Sequence, residues 1–473
     1  MDSNDFVLQF FYYFFLIFSA IIISSYIILG IISTFETIFY FRKNSFISYK
    51  SILASPFAPS ISILAPCYNE GLNIVANVRS LMSLHYVNYQ VIIINDGSKD
   101  DSLEKLIKQY NLEKVDIPFI AKIETKPIRG VYKSQNAVFE KLLVIDKENG
   151  GKADALNAGI NYSNSEYLAC IDVDCMLTED ALQKMVKPFL ERTDRKVIAT
   201  GGVIRIANNC KIENGKLMQV NMPKKLIERY QILEYLRSFL LGRMAWSRLN
   251  GLLIISGAFG MFDRRIMIDA GGYDTKTVGE DMEIIVRMRK YMRDNNRKYK
   301  IAYIPDPLCW TEAPDNFTIL QSQRNRWTRG TIETLRKHWR LFMNPKYGYL
   351  GLLSYPYWLV YERLAPIIEI IGLLFLGYLY LIDALNWIYA LSFIVVAYFF
   401  SIAFSMAAIL SEELTYRQYN KKGDALKLIF VALIEPVTFH LFTLYAAIRG
   451  NFTFYFQKQK SWGTMVRKGI GKV

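Results

Sequence analysis

Asp172 and Asp174 stand one residue apart in the stretch "DVD". In an extended segment, residues two apart project to the same side, so both carboxylates can converge on one point. Like charges that close repel unless a cation lies between them, and a hard divalent ion carrying diphosphate oxygens would fit. An isolated D-x-D is more often a solvated loop, so the pair needs company. "NGGKADALNAG" provides some. Gly150–Gly151 gives a turn with close backbone approach, and Lys152 follows at the start of a helix, making an anion site from a lysine and helix amides. A plain turn with a surface lysine would look the same.

A second acidic pair, Glu280 and Asp281, opens the helical stretch "GEDMEIIVRMRKYM". The helix dipole alone favours acids there. A carboxylate on an apolar, glycine-flanked approach can also serve as a general base. Upstream, "SGAFGMF" reads as a strand of small residues, and Ser256, Gly257 and Ala258 would leave room for a ligand beside it. In "QRNRWTRG", with 317–342 helical, Gln323, Arg326 and Trp327 fall at i, i+3 and i+4 and share one face. Arg326 could then reach a phosphate while Trp327 offers a flat apolar surface to a sugar ring. Further along, Ile332, Leu335, Trp339 and Phe342 form an apolar stripe opposite Arg336, Lys337 and Arg340. That pattern predicts an interfacial helix over 331–347.

The elements that must position these residues alternate. "SISILAPCYNE" is a buried strand leading into the helical pattern of "NIVANVRSLMSL". "YQVIIINDGS" is a second strand, followed by Asp101 as a helix cap before "SLEKLIKQY", and "EYLACIDVD" is a third. This order predicts a doubly wound α/β sheet with its ligand site outside the carboxyl ends of the strands. Glu70, Asp96, Asp172 and Asp174 all close strands.

Of the 473 residues, 52% are hydrophobic and the formal net charge is +14, which favours acidic partners, whether phosphates or an anionic membrane surface. Phe6 to Phe41 is almost uncharged and long enough for one tilted membrane helix, which takes about 20 residues. Arg42 and Lys43 then place the next region of the chain in the cytoplasm. The acidic start and the long apolar run argue against a signal peptide. Apolar runs return at 349–381, 387–410 and 428–448. The first, with Pro356 and Pro366, is either one long broken helix or two short spans, and the basic tail favours two. The expected order is a membrane helix over 1–43, a cytoplasmic domain over 44–330, the interfacial helix, membrane helices over 348–450 and a basic cytoplasmic tail over 451–473. The five cysteines, without a C-x-x-C pair, read as reduced buried thiols. Nucleic acid is disfavoured, since the basic residues lie beside the membrane and no nucleic-acid motif occurs.

Taken in order, "CYNE", "NDGS", "GGKADALN", "DVD", "GED" and "QRNRW" resemble the membrane-embedded family-2 glycosyltransferases, the group of cellulose, chitin, hyaluronan and poly-N-acetylglucosamine synthases. The resemblance runs from about Ser60 to Gly330. It implies a GT-A fold and inverting transfer from a nucleotide sugar, usually a UDP-sugar. Tyr68, Glu70 and Asp96 would hold the nucleotide, and Lys152 would approach the uracil or diphosphate. Asp172 would bind nucleotide, while Asp174 would ligate Mg2+ or Mn2+. Asp281, beside Glu280, matches the general base. Gln323, Arg326 and Trp327 match the Q-x-x-R-W motif, which grips diphosphate and stacks the terminal sugar of a growing chain, with Ser256, Gly257 and Ala258 on the acceptor side.

Many members read T-E-D where this chain has Gly279-Glu280-Asp281, so a threonine contact to the acceptor cannot be carried over. The gating loop and cyclic-di-GMP domain of bacterial cellulose synthases are missing, which points away from cellulose. The expectation is a multi-pass inner-membrane enzyme polymerising a β-linked glycan from UDP-GlcNAc or UDP-Glc, among membrane lipids and with room for accessory subunits. The alternatives are a non-processive transferase with a lipid-linked acceptor and a degenerate scaffold or transporter. The full carboxylate set and Lys152 argue against the last.

Overall fold

The computed structural model describes residues 3–45, 55, 57–191, 193–213 and 215–457. The basic tail beyond Gln457 lies outside them. The chain enters through α1 (Ser3–Asn44), a helix of 42 residues and thus about 60 Å long, roughly twice what a bilayer core requires. Its second half meets protein: Ser33 and Thr37 are buried, and Tyr40 Oη donates to Asp306 at 2.5 Å.

An α/β sheet comes next. Its strands are β1 (Ile61–Cys67), β2 (Tyr89–Asp96), β3 (Leu112–Val115), β4 (Ile128–Ser134), β5 (Leu142–Lys147), β6 (Tyr167–Ile171), β7 (Met176–Leu177) and β8 (Lys196–Ile206). A separate hairpin is formed by β9 (Lys211–Glu213) and β10 (Lys216–Gln219), and the sheet resumes with β11 (Phe259–Asp263) and β12 (Tyr299–Thr311). The sheet order is β3-β4-β5-β2-β1-β6-β11-β8-β12-β7. The four central strands β5, β2, β1 and β6 are parallel, and β11 runs antiparallel between β6 and β8. The central strands are buried almost throughout and read as near-continuous apolar runs, as helices packed on a parallel sheet require. These helices include α2 (Ile74–Met82), α3 (Ser102–Tyr110), α4 (Lys152–Tyr162) and α5 (Ala181–Leu190). α4 lies directly on the sheet: a Cβ at Gly159 would stand 3.0 Å from Leu64 and 3.1 Å from Ile94.

Beyond the sheet come α6 (Leu226–Leu236), α7 (Glu280–Asp294) and α8 (Phe317–Lys337), then α9 (Ala365–Leu381), α10 (Trp387–Thr415), α11 (Asp424–Ile434) and α12 (Phe439–Phe452). Among the described residues, three helical runs are long and apolar enough to cross a membrane: Leu8–Asn44, Leu350–Leu381 and Trp387–Thr415. α11 and α12, with the turns that extend them, form a pair bent by 51°.

Several expectations change here. Residues 350–381 are one continuous run rather than two spans. Pro356 and Pro366 lie within that run, where each leaves a carbonyl one turn back without its usual N–H donor, and the adjoining π-helical turns absorb the irregularity. No separate helix covers 331–347. α8 carries on to Lys337, with Ile332 and Leu335 inside the protein, and 3₁₀ turns take over. Only Trp339 and Phe342 of that stripe are exposed. Residues 256–258 precede β11 rather than belonging to it. Asp101 occupies the cap position without a capping bond; Asp100 instead accepts from the Ser102 amide and hydroxyl.

Ion pairs tie the apolar helices to the sheet and to the segment that follows α6. Arg205 of β8 pairs with Glu412 of α10, both almost fully buried, and Arg237 forms a two-pronged pair with Glu435 at the bend between α11 and α12.

Candidate active site

The loops at the carboxyl ends of the central strands are stitched to one another. After β1, Asn69 adopts a left-handed φ of 56°. Its amide donates to Ser98 Oγ, and its side-chain oxygen accepts from the Lys99 amide. The amides of Glu70 and Gly71 donate to Ser102 Oγ and Asp100 Oδ2. Tyr68 is left with 47% of its surface exposed beside this seam.

Asp96, the last residue of β2, is buried and accepts from Lys147 Nζ at 2.8 Å and from the amides of Gly150 and Gly151 at 2.9 and 2.7 Å. It thereby shapes the turn that launches α4. Gly151 sits at φ +86°, a conformation that favours glycine.

Lys152, the first residue of α4, reaches across to three chain segments. Its Nζ lies 2.5 Å from Asp172, 3.4 Å from Glu280 and 3.0 Å from the Gly257 carbonyl oxygen. Burial works against its charge, yet Asp172 and Glu280 outweigh it and hold the ammonium above the ordinary lysine range. Glu280 is pushed up to about 7 by burial, with Lys152 opposing and the neighbouring Asp281 adding to the rise. Asp281 is half-buried at the start of α7. A Cβ on Gly257 would stand 2.7 Å from its Oδ2, so the absence of a side chain there is what gives this carboxylate its space.

Asp172 and Asp174 converge as their spacing implied, but through a different backbone. They lie in a turn closed by Cys175 N–H donating to the Asp172 carbonyl, not in an extended strand. Carboxylate oxygens of both and the Cys175 sulfur all lie within 4.8 Å of one another. A hydrogen bond with Cys309 and burial hold the Cys175 thiol well above its usual range, so the hard ligands of this donor set are the two carboxylates. Such a set fits Mg2+ or Mn2+. All five cysteines are free and buried.

Gln323, Arg326 and Trp327 lie on α8, with Trp327 46% exposed and Gln323 Oε1 buried without a hydrogen-bond partner among the described residues. α8 crosses α7 where Gly330 meets Gly279. This crossing brings the Q-x-x-R-W helix beside the helix that Glu280 and Asp281 open.

Sequence reading missed what supports these groups. Arg324 lies over the Trp327 ring, 4.1 Å from its centroid, and bonds Glu234 of α6 through both terminal nitrogens. The i, i+3 spacing of Arg324 and Trp327 was visible; Glu234, ninety positions away, gave no signal. Glu283 and Glu333, which join α7 to α8, were likewise silent.

An α/β sheet with acidic residues at its strand ends, beside helices long and apolar enough to cross a membrane, is the arrangement of a GT-A glycosyltransferase domain. Residues 58–330 match the family model described as glycosyltransferase like family 2, more than half of the chain, and the protein belongs to that family. Residues 275–420 also match a chitin synthase model. Among curated proteins, the chain is 29% identical over 321 residues to the poly-beta-1,6-N-acetyl-D-glucosamine synthase of Staphylococcus aureus, covering 67% of this chain and 64% of that protein. It is 30% identical over 308 residues to the protein of that name from Staphylococcus epidermidis, covering 65% of this chain and 61% of that one. The match thus spans less than two thirds of these relatives' length. Among solved structures, a mannosyltransferase from Pyrobaculum calidifontis in complex with GDP-Man and Mn2+ aligns over 92% of this chain and 99% of its own, with a TM-score of 0.50 and 15% identity. The shared feature is the GT-A fold.

Proposed function

We propose that the protein is a processive, inverting glycosyltransferase that extends a β-linked polysaccharide from a UDP-sugar, UDP-GlcNAc foremost, on the cytoplasmic side of a bacterial inner membrane. The observation that carries this reading is the convergence of Lys152, Asp172, Glu280 and Asp281 beside a helix that presents Trp327. The donor is inferred from the relatives named as poly-N-acetylglucosamine synthases.

Each residue has a task in such a transfer. Tyr68 and Glu70 border the nucleotide, and Asp96 fixes the glycine turn under Lys152. When the diphosphate arrives, Lys152 can exchange its carboxylate partners for phosphate oxygens, since a strongly held ammonium keeps its charge. Asp174, with Asp172, would hold Mg2+ or Mn2+, which would supply positive charge against the diphosphate. Asp281 takes the proton from the acceptor hydroxyl in the space left by Gly257, Ser256 and Ala258 flank that space, and Glu280 supports the base. Gln323 and Arg326 face the diphosphate while Trp327 carries the terminal sugar of the acceptor, and that platform favours chain growth over a single transfer to a lipid.

The proposal extends to the membrane. Arg42 and Lys43 close α1 on the catalytic side. The bent pair reads as re-entrant. At its bend, Thr438 hydrogen-bonds Tyr230 of α6 at 2.7 Å, and farther along Gly450 packs on Thr328 of α8. Three crossings result, with the pair returning to the catalytic side.

The deciding experiment incubates purified membrane protein with each radiolabelled UDP-sugar and digests the product with linkage-specific glycosidases. A polymer resistant to β-specific enzymes, or a single sugar on lipid, would overturn the proposal.

A further inference from the structure

α7 and α8 touch backbone to backbone. A Cβ built on Gly279 would stand 2.6 Å from Gly330 Cα, and one on Gly330 would stand 2.7 Å from Gly279 Cα. Neither glycine needs its conformational freedom, because Gly279 has φ −111° and Gly330 is within a helix. Space is what both are for. Gly279 is also where this chain departs from the threonine of its resemblance group.

The contact is fastened on both sides. Glu333, one turn beyond Gly330, accepts from Thr277 Oγ1 and the Val278 amide, each at 2.9 Å. Glu283, one turn into α7 and fully buried, contacts Lys337 Nζ at 2.7 Å and His338 Nε2 at 3.0 Å from the far end of α8. It also pairs with Arg287 on its own helix at 2.6 Å. Arg326, Gly330, Glu333 and Lys337 form a helical i, i+4, i+7, i+11 pattern, so the face of α8 that crosses α7 continues to Arg326 one turn away. Asp281 lies two residues along α7 from the same crossing.

We propose that the Gly279–Gly330 contact, fastened by Glu333 through Thr277, is a positioning device that sets the spacing between Asp281 and the acceptor platform of Trp327. This rests on the transferase reading above. Its physical basis is leverage. A methyl at either glycine must move the facing backbone by about 1 Å to reach ordinary contact, and a misplacement of about 1 Å at a reacting centre can cost on the order of 100-fold in rate. None of Gly279, Gly330 or Thr277 needs to touch substrate for this.

The test compares Gly330→Ala and Thr277→Val in the full-length membrane protein, with UDP affinity by calorimetry, thermal unfolding, and kcat for polymer formation per folded molecule. Thr277→Val keeps the shape and removes two hydrogen bonds, the one Oγ1 donates to Glu333 and the one it accepts from the Gly279 amide at 3.1 Å. Gly330→Ala is expected to lower kcat by roughly 100-fold, and Thr277→Val by roughly 3- to 10-fold, with UDP affinity within about threefold of wild type in both. If Gly330→Ala does not fold, Thr277→Val decides alone. A Thr277→Val kcat equal to wild type overturns the proposal. So does a folded Gly330→Ala with kcat within threefold, or loss of UDP affinity in step with kcat, which marks a purely structural role. Asp281→Asn runs alongside. If it turns over normally, the base assignment fails, whatever the glycines do.

Discussion

Arg324→Leu tests whether the Trp327 ring is held ready before an acceptor arrives. The guanidinium covers one face of the ring at 4.1 Å and is gripped by Glu234 at 2.8 and 2.7 Å. Trp327 keeps 46% of its surface exposed, and the proposed acceptor sugar would use that surface. A cation over an indole contributes about 0.5–1 kcal/mol where exposed and about 2 where dry; Arg324 is buried and Trp327 half-exposed, so ~1 kcal/mol is the fitting figure. Leucine keeps apolar bulk beneath the ring but loses that hold, and the ring must then be ordered when the sugar binds. Immobilising such a side chain costs about 0.5–1.5 kcal/mol, which is roughly a 2- to 12-fold rise in acceptor KM. The assay is elongation of a labelled oligosaccharide acceptor at saturating donor, with the donor KM measured in parallel. Trp327→Ala is the reference, expected to abolish polymer while UDP release to water persists. An unchanged acceptor KM in Arg324→Leu, or a donor KM that rises equally, would refute the idea of a preset platform.

Other parts of the site give outcomes of their own. Asp281→Asn should lose about 10²–10⁴-fold in turnover, measured as UDP release, while calorimetric UDP affinity stays near wild type; loss of both would make the residue structural. EDTA should abolish transfer and Mg2+ or Mn2+ restore it, whereas Asp174→Ala should stay inactive at ordinary metal levels; full turnover in EDTA would remove the metal assignment. Glu280 binds its proton more tightly folded than unfolded, so its stabilising effect is complete below about pH 4.5 and fades as pH rises through about 7. Between pH 5 and 8, thermal unfolding of wild type should therefore weaken relative to Glu280→Gln, by up to about 3 kcal/mol; parallel curves would contradict this. Arg205→Met leaves Glu412 buried without its partner, and removing one member of such a pair costs about 3–5 kcal/mol. A clear fall in melting temperature is expected, and an unchanged one would mean that water reaches Glu412.

The central strands and the helix starts were legible because their signals are local. Continuous apolar runs gave β1, β2 and β6, and glycine followed by lysine or acid gave the first turns of α4 and α7. The convergence of Asp172 and Asp174 was also foreseen, though the reason was wrong: a turn rather than a pleat brings them together. Where reading failed, the deciding partner was remote. The stripe from Ile332 to Phe342 has the period of a membrane-surface helix, and nothing in it shows that Ile332 and Leu335 meet protein instead. Pro356 and Pro366 looked like breaks because the register of the helical turns around them is not written in the prolines. Arg324–Glu234 and Glu333–Thr277 join positions dozens of residues apart, and charge alone does not announce a pairing.

The pair formed by Arg205 and Glu412 bears on modularity. One member belongs to the sheet whose strand ends bear the candidate site and the other to a helix long enough to cross the bilayer, and water reaches neither. Tyr40 makes another link at the other end of the chain, donating from α1 to Asp306 of β12. Catalytic and membrane parts are therefore not separable units: excising the sheet as a soluble fragment would leave Arg205 without its acid and bare core surface that packs with Ala408 and Ile409. Grafting it onto foreign helices would fail for the same reason unless an acid were supplied at the depth of Glu412. In a lineage of such enzymes, a change at either position would be tolerated only with a matching change in the other, so the two halves of the molecule are bound to diverge together.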